Sequence, residues 1–304
     1  MASSVMLTPN LSADNTVDEA IDQARRAHAA GVRRVWVAQR VDIDAIGLAG
    51  LVGAAVPGLG VGTAVVPINP RHPLLISSAA QTAQAASHGN FSLGLGLGAP
   101  AVERAAFGNA LPNTITRLRE HLTVLRSIFD DGAVDFRGEE ISTSPQWPVT
   151  VPGGGAIPIY VAAMGPKALQ VTGELADGTL PYLAGPRTVG EFIAPTIGRA
   201  AAEAGRAEPA IIAMVPVVVT DDVEAGKAWA AEQLAFYGTI PSYQKVVARE
   251  GVDSVADLAV VGSEAEVRRA LQRYLDAGAT DVVLSPLRTE PGDAEASWAV
   301  AASL

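Results

Sequence analysis

The stretch PIYVAAMGPKALQVTGELADGTLPY, residues 158–182, reads as strand, turn, helix, turn and strand in immediate succession. Its opening run is apolar at every position, the signature of a strand buried on both faces of a parallel sheet. Small residues and Gly165-Pro166 then lead into an amphipathic segment, and Asp177-Gly178 ends it before the next apolar run. The same junction recurs at Gly31 before residues 33–38, Gly89 before 91–97 and Gly278 before 281–285. A glycine just past a helix supplies a left-handed residue, and a short loop returns the chain to the sheet.

Residues 3–8, 59–66 and 211–219 are three further apolar runs, and with the opening run at 157–162 they bring the candidate strands to eight. Eight βα repeats predict an α/β protein of the (β/α)8 or TIM-barrel class. An open doubly wound sheet shows the same alternation and stands as the alternative. Thr16 with Glu19 and Ser263 with Glu266 have capping-box spacing at helix starts. The segments 98–156 and 220–280 exceed one helix each, so insertions carrying a lid or substrate walls are expected after strands 4 and 7. Residues 46–68 carry no charge, but Pro57, Gly58, Gly60 and Gly62 interrupt them, so they read as a buried helix, a turn and a buried strand rather than a membrane span. With no linker or low-complexity tract, residues 1–304 read as a single barrel domain.

A formal net charge of -10 argues against nucleic acid and anionic membrane surfaces as partners. The absence of cysteine removes disulfides, thiolate nucleophiles and thiolate metal sites together. No basic segment followed by a long apolar run opens the sequence, so a cytoplasmic location is expected.

In a parallel barrel the residues just after each strand face the active site. Those positions hold Gln39, Arg40 and Asp42, then Asn69, Arg71 and His72, then Gly96, Gly98 and Glu103, then Met164 to Lys167, then Tyr182 and Arg187. The set is poor in acids, bases and nucleophiles. His28, His88 and His121 fall on predicted helices or a helix end away from this rim, leaving His72 as the histidine placed for proton work; its plainer reading is a residue that starts the next helix beside Pro73. No His, Asp and Glu spacing suits a metal, and no lysine falls in a strand where a Schiff base would form. Such a rim suits a cofactor that carries the hard chemistry while the protein orients it. Two glycine-bearing stretches support this: LGLGLG over residues 93–98, with Gly96 and Gly98 at the strand end, and AAMGPKAL over 162–169, where Ala163, Met164, Gly165 and Pro166 open a helix whose first amides suit a phosphate. Alternating Gly and Leu also packs a crowded barrel, and the second stretch also reads as an ordinary βα turn.

At these residues the sequence resembles the bacterial luciferase-like monooxygenase superfamily, in particular its actinobacterial oxidoreductases dependent on the deazaflavin coenzyme F420. The resemblance runs over nearly the whole chain and is carried by VWVAQR (35–40), GTAVVPINPRHP (62–73), LGLGLG, RLREHLTVLRSIF (117–129), VDFRGEEI (134–141), PIYVAAMGPKALQVTGELADG (158–178) and GTIPSYQKVVAREG (238–251). It implies a cofactor in the barrel mouth with its phosphate-bearing tail near Ala163 to Pro166, and a non-proline cis peptide at Ala64-Val65 against the ring. It implies a hydride exchanged between F420 and a small organic substrate, and a homodimer. FMN with oxygen, as in a monooxygenase, is the alternative cofactor chemistry, and a non-catalytic flavin-binding protein the alternative class. Several deazaflavin-dependent relatives carry an Asp-His pair where this chain has Gln39-Arg40, so their catalytic acid does not transfer and a sugar phosphate is disfavoured; Arg40 suits an anionic group of cofactor or substrate. Phe107, Trp229, Phe236, Tyr237 and Tyr243, in segments 99–113 and 223–257, suggest a partly aromatic substrate pocket.

Overall fold

The computed structural model describes residues 4–10, 12–108, 113–288 and 291–304. They divide into a central unit, Val37–Thr179 with Arg199–Pro209, and a terminal unit, Met1–Trp36 with Leu180–Gly198 and Ala210–Leu304.

In the terminal unit the parallel strands run in the order Val260–Gly262, Ala210–Val219, Asp281–Pro286, Ser4–Met6, Arg34–Val37. Ser4 is in register with both Val283 and Arg34. The first strand of the chain therefore pairs with both the second and the last. That neighbour relation belongs to a closed barrel, whereas an open doubly wound sheet leaves its last strand at an edge. The strands form where the sequence is Val-rich, and Val5, Val35, Trp36, Val283 and Leu284 have no solvent exposure. Burial on both faces is what the unbroken apolar runs require.

The central unit contributes the parallel strands Gly60–Thr63, Phe91–Gly96, Ile159–Ala162 and Gly178–Thr179. Val260–Gly262 is an extra strand paired only with Ala210–Val219; the other eight form a parallel (β/α)8 barrel. The run read as strand 3 is broken in two, because the Ala64-Val65 peptide is cis and pairing resumes only at Val66–Pro67, beside Leu95 and Gly96. The cis bond falls where the resemblance put it. Asn69-Pro70 is also cis.

Gly31, Gly89 and Gly278 take the left-handed conformation expected of them. Gly178 does not: it is already the first residue of its strand. Asp177 makes that junction instead, its carboxylate accepting from the Ile159 amide at 2.7 Å and pairing with Arg126 and Arg206. Of the two capping boxes, Ser263 with Glu266 is present. Thr16 is not a cap; Asn15 is, accepting from Val17 and Asp18, while Glu19 reaches back to the Asn10 amide. An amide side chain one residue earlier competes successfully for the same orphan donors. The uncharged stretch 46–68 contains the helix Ala45–Ala55 and the strand Gly60–Thr63. No helix among the described residues is long and apolar enough to cross a membrane.

Residues 98–156 contain the helices Pro100–Phe107 and Thr114–Arg126 and the antiparallel pair Phe136–Arg137 with Ser142–Thr143. Within the expected insertion 99–113, residues 109–112 lie outside the described residues, as does residue 3 of the first strand. Residues 220–280 contain the helices Val223–Leu234, Pro241–Glu250 and Glu264–Asp276 and the strand Val260–Gly262.

Candidate functional site

The C-terminal strand ends of the central unit bring the glycine-rich stretches together. Gly96 stands opposite Pro67 on one side and Ala162 on the other. A β-carbon on Gly96 would come within 2.6 Å of Val65 Cγ2, so glycine there is required by close approach. Two buried threonines fix the neighbouring backbone. Thr63 Oγ1 donates to the Gly94 carbonyl and accepts from the Gly94 amide, both at 2.9 Å, and Thr179 Oγ1 donates to the Val161 carbonyl at 2.8 Å. Gly98 has φ +76°, and the carboxylate of the buried Glu103 occupies the place its side chain would take.

Ala163 is fully buried, Met164 is half-buried, and Gly165 and Pro166 are exposed at the start of the helix Pro166–Leu175. No side chain caps this helix, and a β-carbon on Gly165 would meet nothing within 4 Å. The first-turn amides of this helix therefore have no side-chain cap, and the positive end of a helix suits an anion.

The proposed proton-handling residues are otherwise employed. His72 is the N-cap of the helix Pro73–Ala86, its Nδ1 accepting from the Leu74 amide at 3.2 Å, as the plainer reading had it. Burial pushes its pKa down, Arg117 adds to this, and a hydrogen bond with the Ser142 backbone opposes it. Gln39 spans its own loop: Nε2 donates to the carbonyls of Arg40 and Ile43, and Oε1 accepts from the Ala45 amide and from Arg71. Arg40 is exposed and clasps Asp42 through Nε at 2.9 Å and a second nitrogen at 3.1 Å. Arg71 pairs with Asp44.

The sequence reading put His121 on a helix, and it lies on one. His121 on the helix Thr114–Arg126 is fully buried and interacts electrostatically with both His72 and Arg117. Burial chiefly, then Arg117 and His72, lower its pKa to about 3. Neither ring nitrogen has a hydrogen-bond partner among the described residues, and the same holds for Arg117 Nε and for Nδ2 of the buried Asn69. The i, i+4 spacing of Arg117 and His121 was the available signal, since it puts both on one helix face. Glu120 between them turns elsewhere, accepting from the amides of Glu139, Glu140 and Ile141 at 2.7 to 2.9 Å.

In the terminal unit, Tyr237 meets the rings of Tyr182, Phe236 and Tyr243 edge-on, with centroids 5.3, 5.9 and 5.1 Å away. Burial pushes all three phenols up in pKa, for Tyr182 against a Ser285 hydrogen bond, so they are neutral donors near pH 7. Phe236, Tyr237 and Tyr243 were read as pocket aromatics. Trp229, read with them, donates to the Leu287 carbonyl at 2.9 Å, and Phe107 belongs to the central unit, where it is exposed.

Residues 2–281 match the family model described as luciferase-like monooxygenase. The protein Rv3520c of Mycobacterium tuberculosis is 29% identical over 226 residues, 69% of this chain and 65% of its own length, and a Mycobacterium bovis protein matches over 61% of its length, so the chain spans less than two thirds of these relatives. An F420-dependent glucose-6-phosphate dehydrogenase of Kineococcus radiotolerans is 26% identical over 86% of this chain and 85% of its own. Among solved structures, the coenzyme F420-dependent tetrahydromethanopterin reductase of Methanopyrus kandleri superposes with a TM-score of 0.82 at 21% identity, covering 99% of this chain and 97% of that one. At that identity the likeness shows the fold, the (β/α)8 barrel.

Proposed function

The chain belongs to the luciferase-like monooxygenase family, and from that premise we propose that it is an oxidoreductase that exchanges a hydride between coenzyme F420 and a small organic substrate. The observation that carries this reading is the pairing of a side-chain-free strand end at Gly94 and Gly96 with an uncapped helix start at Gly165 to Ala168. An anionic tail needs free amides, which the uncapped helix start offers, and the ring would lie against a strand end where Val65 covers Gly96 and Glu103 covers Gly98. The F420 dependence of the Kineococcus relative supports a deazaflavin over FMN.

When bound, the deazaflavin supplies hydride chemistry at its ring carbon. Gly96, Gly98, Ala64 and Val65 form the backbone wall for the ring; Ala163, Met164, Gly165 and Pro166 hold the tail. With His72 capping a helix, Gln39 spanning its loop and Arg40 held by Asp42, these side chains shape the rim and leave the redox step to the cofactor. The small-residue groove between the helices Ala45–Ala55 and Pro73–Ala86, with Leu51 and Leu75 exposed beside it, supports a homodimer, which sedimentation velocity tests.

Calorimetric titration with F420 and, in parallel, with FMN tests the cofactor. Micromolar or tighter binding of F420 alone is expected; a preference for FMN moves the protein to oxygen-dependent chemistry. Turnover under argon then separates the two, since strict dependence on oxygen contradicts hydride exchange with an organic acceptor.

A further inference from the structure

Three arginines lie on the helix Thr114–Arg126, and two have acid partners. Arg119 pairs with Glu174, and Arg126 pairs with Asp177 and Asp130. Arg117 is in none of the ion pairs among the described residues, although it is half-buried and its Nε is shielded from solvent. The nearest acid in sequence on its helix face, Glu120, is consumed by three backbone amides. The charges acting on His72 and His121 are cationic, Arg117 on both and His72 on His121, with no carboxylate among them. Residues 109–112, Asn-Ala-Leu-Pro, add no acid either.

A buried cation without a counter-charge and buried donors without acceptors are each costly, and native proteins seldom keep them without a use. Here two of them share one helix face, Arg117 Nε and the two free nitrogens on His121, of which a neutral ring protonates one, and Nδ2 of Asn69, three residues before His72 in sequence, is a further unpartnered donor. Donors outnumber acceptors there.

We propose that Arg117 and His121, beside His72, form an oxyanion-binding site that takes a carboxylate or phosphoryl group. Arg117 supplies the charge and a planar fork that matches such groups. His121 supplies a neutral donor, since its burial keeps it uncharged until the anion arrives, and the incoming charge favours its protonation. His72 closes the site through its cap and its bond to Ser142, which fixes the ring. The site uses residues other than the helix start at Gly165, and its anion comes from the substrate or from an acidic group on the cofactor tail. The phosphate arm of the test does not rest on the F420 reading.

The sequence has four histidines, so their ring C2–H signals are resolvable by NMR. Titration of the protein with inorganic phosphate, and separately with acetate, is expected to move the His121 and His72 signals saturably and leave His28 and His88 in place. Arg117→Met is expected to weaken phosphate binding at least about tenfold and Arg117→Lys, which keeps the charge but loses the fork, several-fold. The lysine variant serves if the methionine variant does not fold. F420 then identifies the source. If F420 moves the same two signals and excludes phosphate, the tail supplies the anion; if phosphate saturates the F420-loaded protein unchanged, the substrate supplies it. Phosphate binding without F420 binding would sink the cofactor reading and leave this one standing. No saturable movement of His121 or His72 with phosphate, acetate or F420, or equal movement in the Arg117 variants, overturns the site.

Discussion

Each unit contains a glutamate that gathers backbone amides where a glycine leaves room. Glu120 in the central unit accepts from residues 139, 140 and 141, and its carboxylate fills the place of a side chain on Gly138. Glu250 in the terminal unit accepts from the amides of Arg187 and Thr188 and the Thr188 hydroxyl, and fills the corresponding place at Gly185. The difference lies in the base next to each. Arg249 stacks on Phe192, 3.6 Å from the ring centroid, and so is satisfied by packing. His121 is left with two unpartnered nitrogens beside an unpaired arginine. The same local device serves structure alone in one unit and frees a polar cluster for a ligand in the other.

The comparison breaks first if the two glutamates are not equivalent in kind. Glu120→Ala leaves three amides without an acceptor under a residue only 7% exposed, and is expected to cost about 3 to 5 kcal/mol in urea denaturation. Glu250 is better solvated, so Glu250→Ala is expected to cost about 2 kcal/mol. Equal losses would mean that burial does not separate them.

In the terminal unit the aromatic cluster should matter next. Tyr237→Ala removes three edge contacts and is expected to lower stability by about 2 kcal/mol, while F420 affinity in calorimetry stays within about twofold. A large loss of F420 affinity would place the cofactor against the tyrosines instead.

Two titrating groups sharpen the contrast, because burial acts on them with opposite sign. His121 has its pKa lowered from 6.5 to about 3, so the unfolded chain takes up protons first and stability falls as pH drops through that window. Asp281 in the terminal unit is raised from 3.8 to about 6, chiefly by burial against hydrogen bonds from Val282 and Ser4. Its native form keeps the proton longer, so its contribution falls as pH rises from about 4 to about 6. Asp281→Asn removes only the second effect. The variant's stability should therefore rise more steeply with pH across that interval than the wild type's, and parallel curves from urea titrations would contradict it.

The smallest effect belongs to Arg40. Its pair with Asp42 is solvent-exposed, and Arg40→Ala is expected to change stability by less than about 0.5 kcal/mol in the same assay.

Local chemistry made the barrel legible. β-Branched runs at 34–37 and 210–219, glycines at 31, 89 and 278, and the Ser263–Glu266 box are decided by sterics and hydrogen bonds within a few residues, so the sequence alone determined the eight strands and their alternation with helices. The glycine-rich strand end and the uncapped helix start were readable for the same reason. Two local readings failed where neighbours compete at short range: Asn15 took the cap from Thr16, and Asp177 replaced the turn expected of Gly178. Which distant side chains meet was settled by packing across the fold. His72 and His121 sit on different helices, and their approach depends on how those helices pack and on the hairpin whose Ser142 backbone meets the His72 ring. No period of 2 or 3.6 encodes that; neither does any local pattern show that Glu120 is already committed and Arg117 therefore unpaired, because both follow from which groups remain once the fold has satisfied the rest.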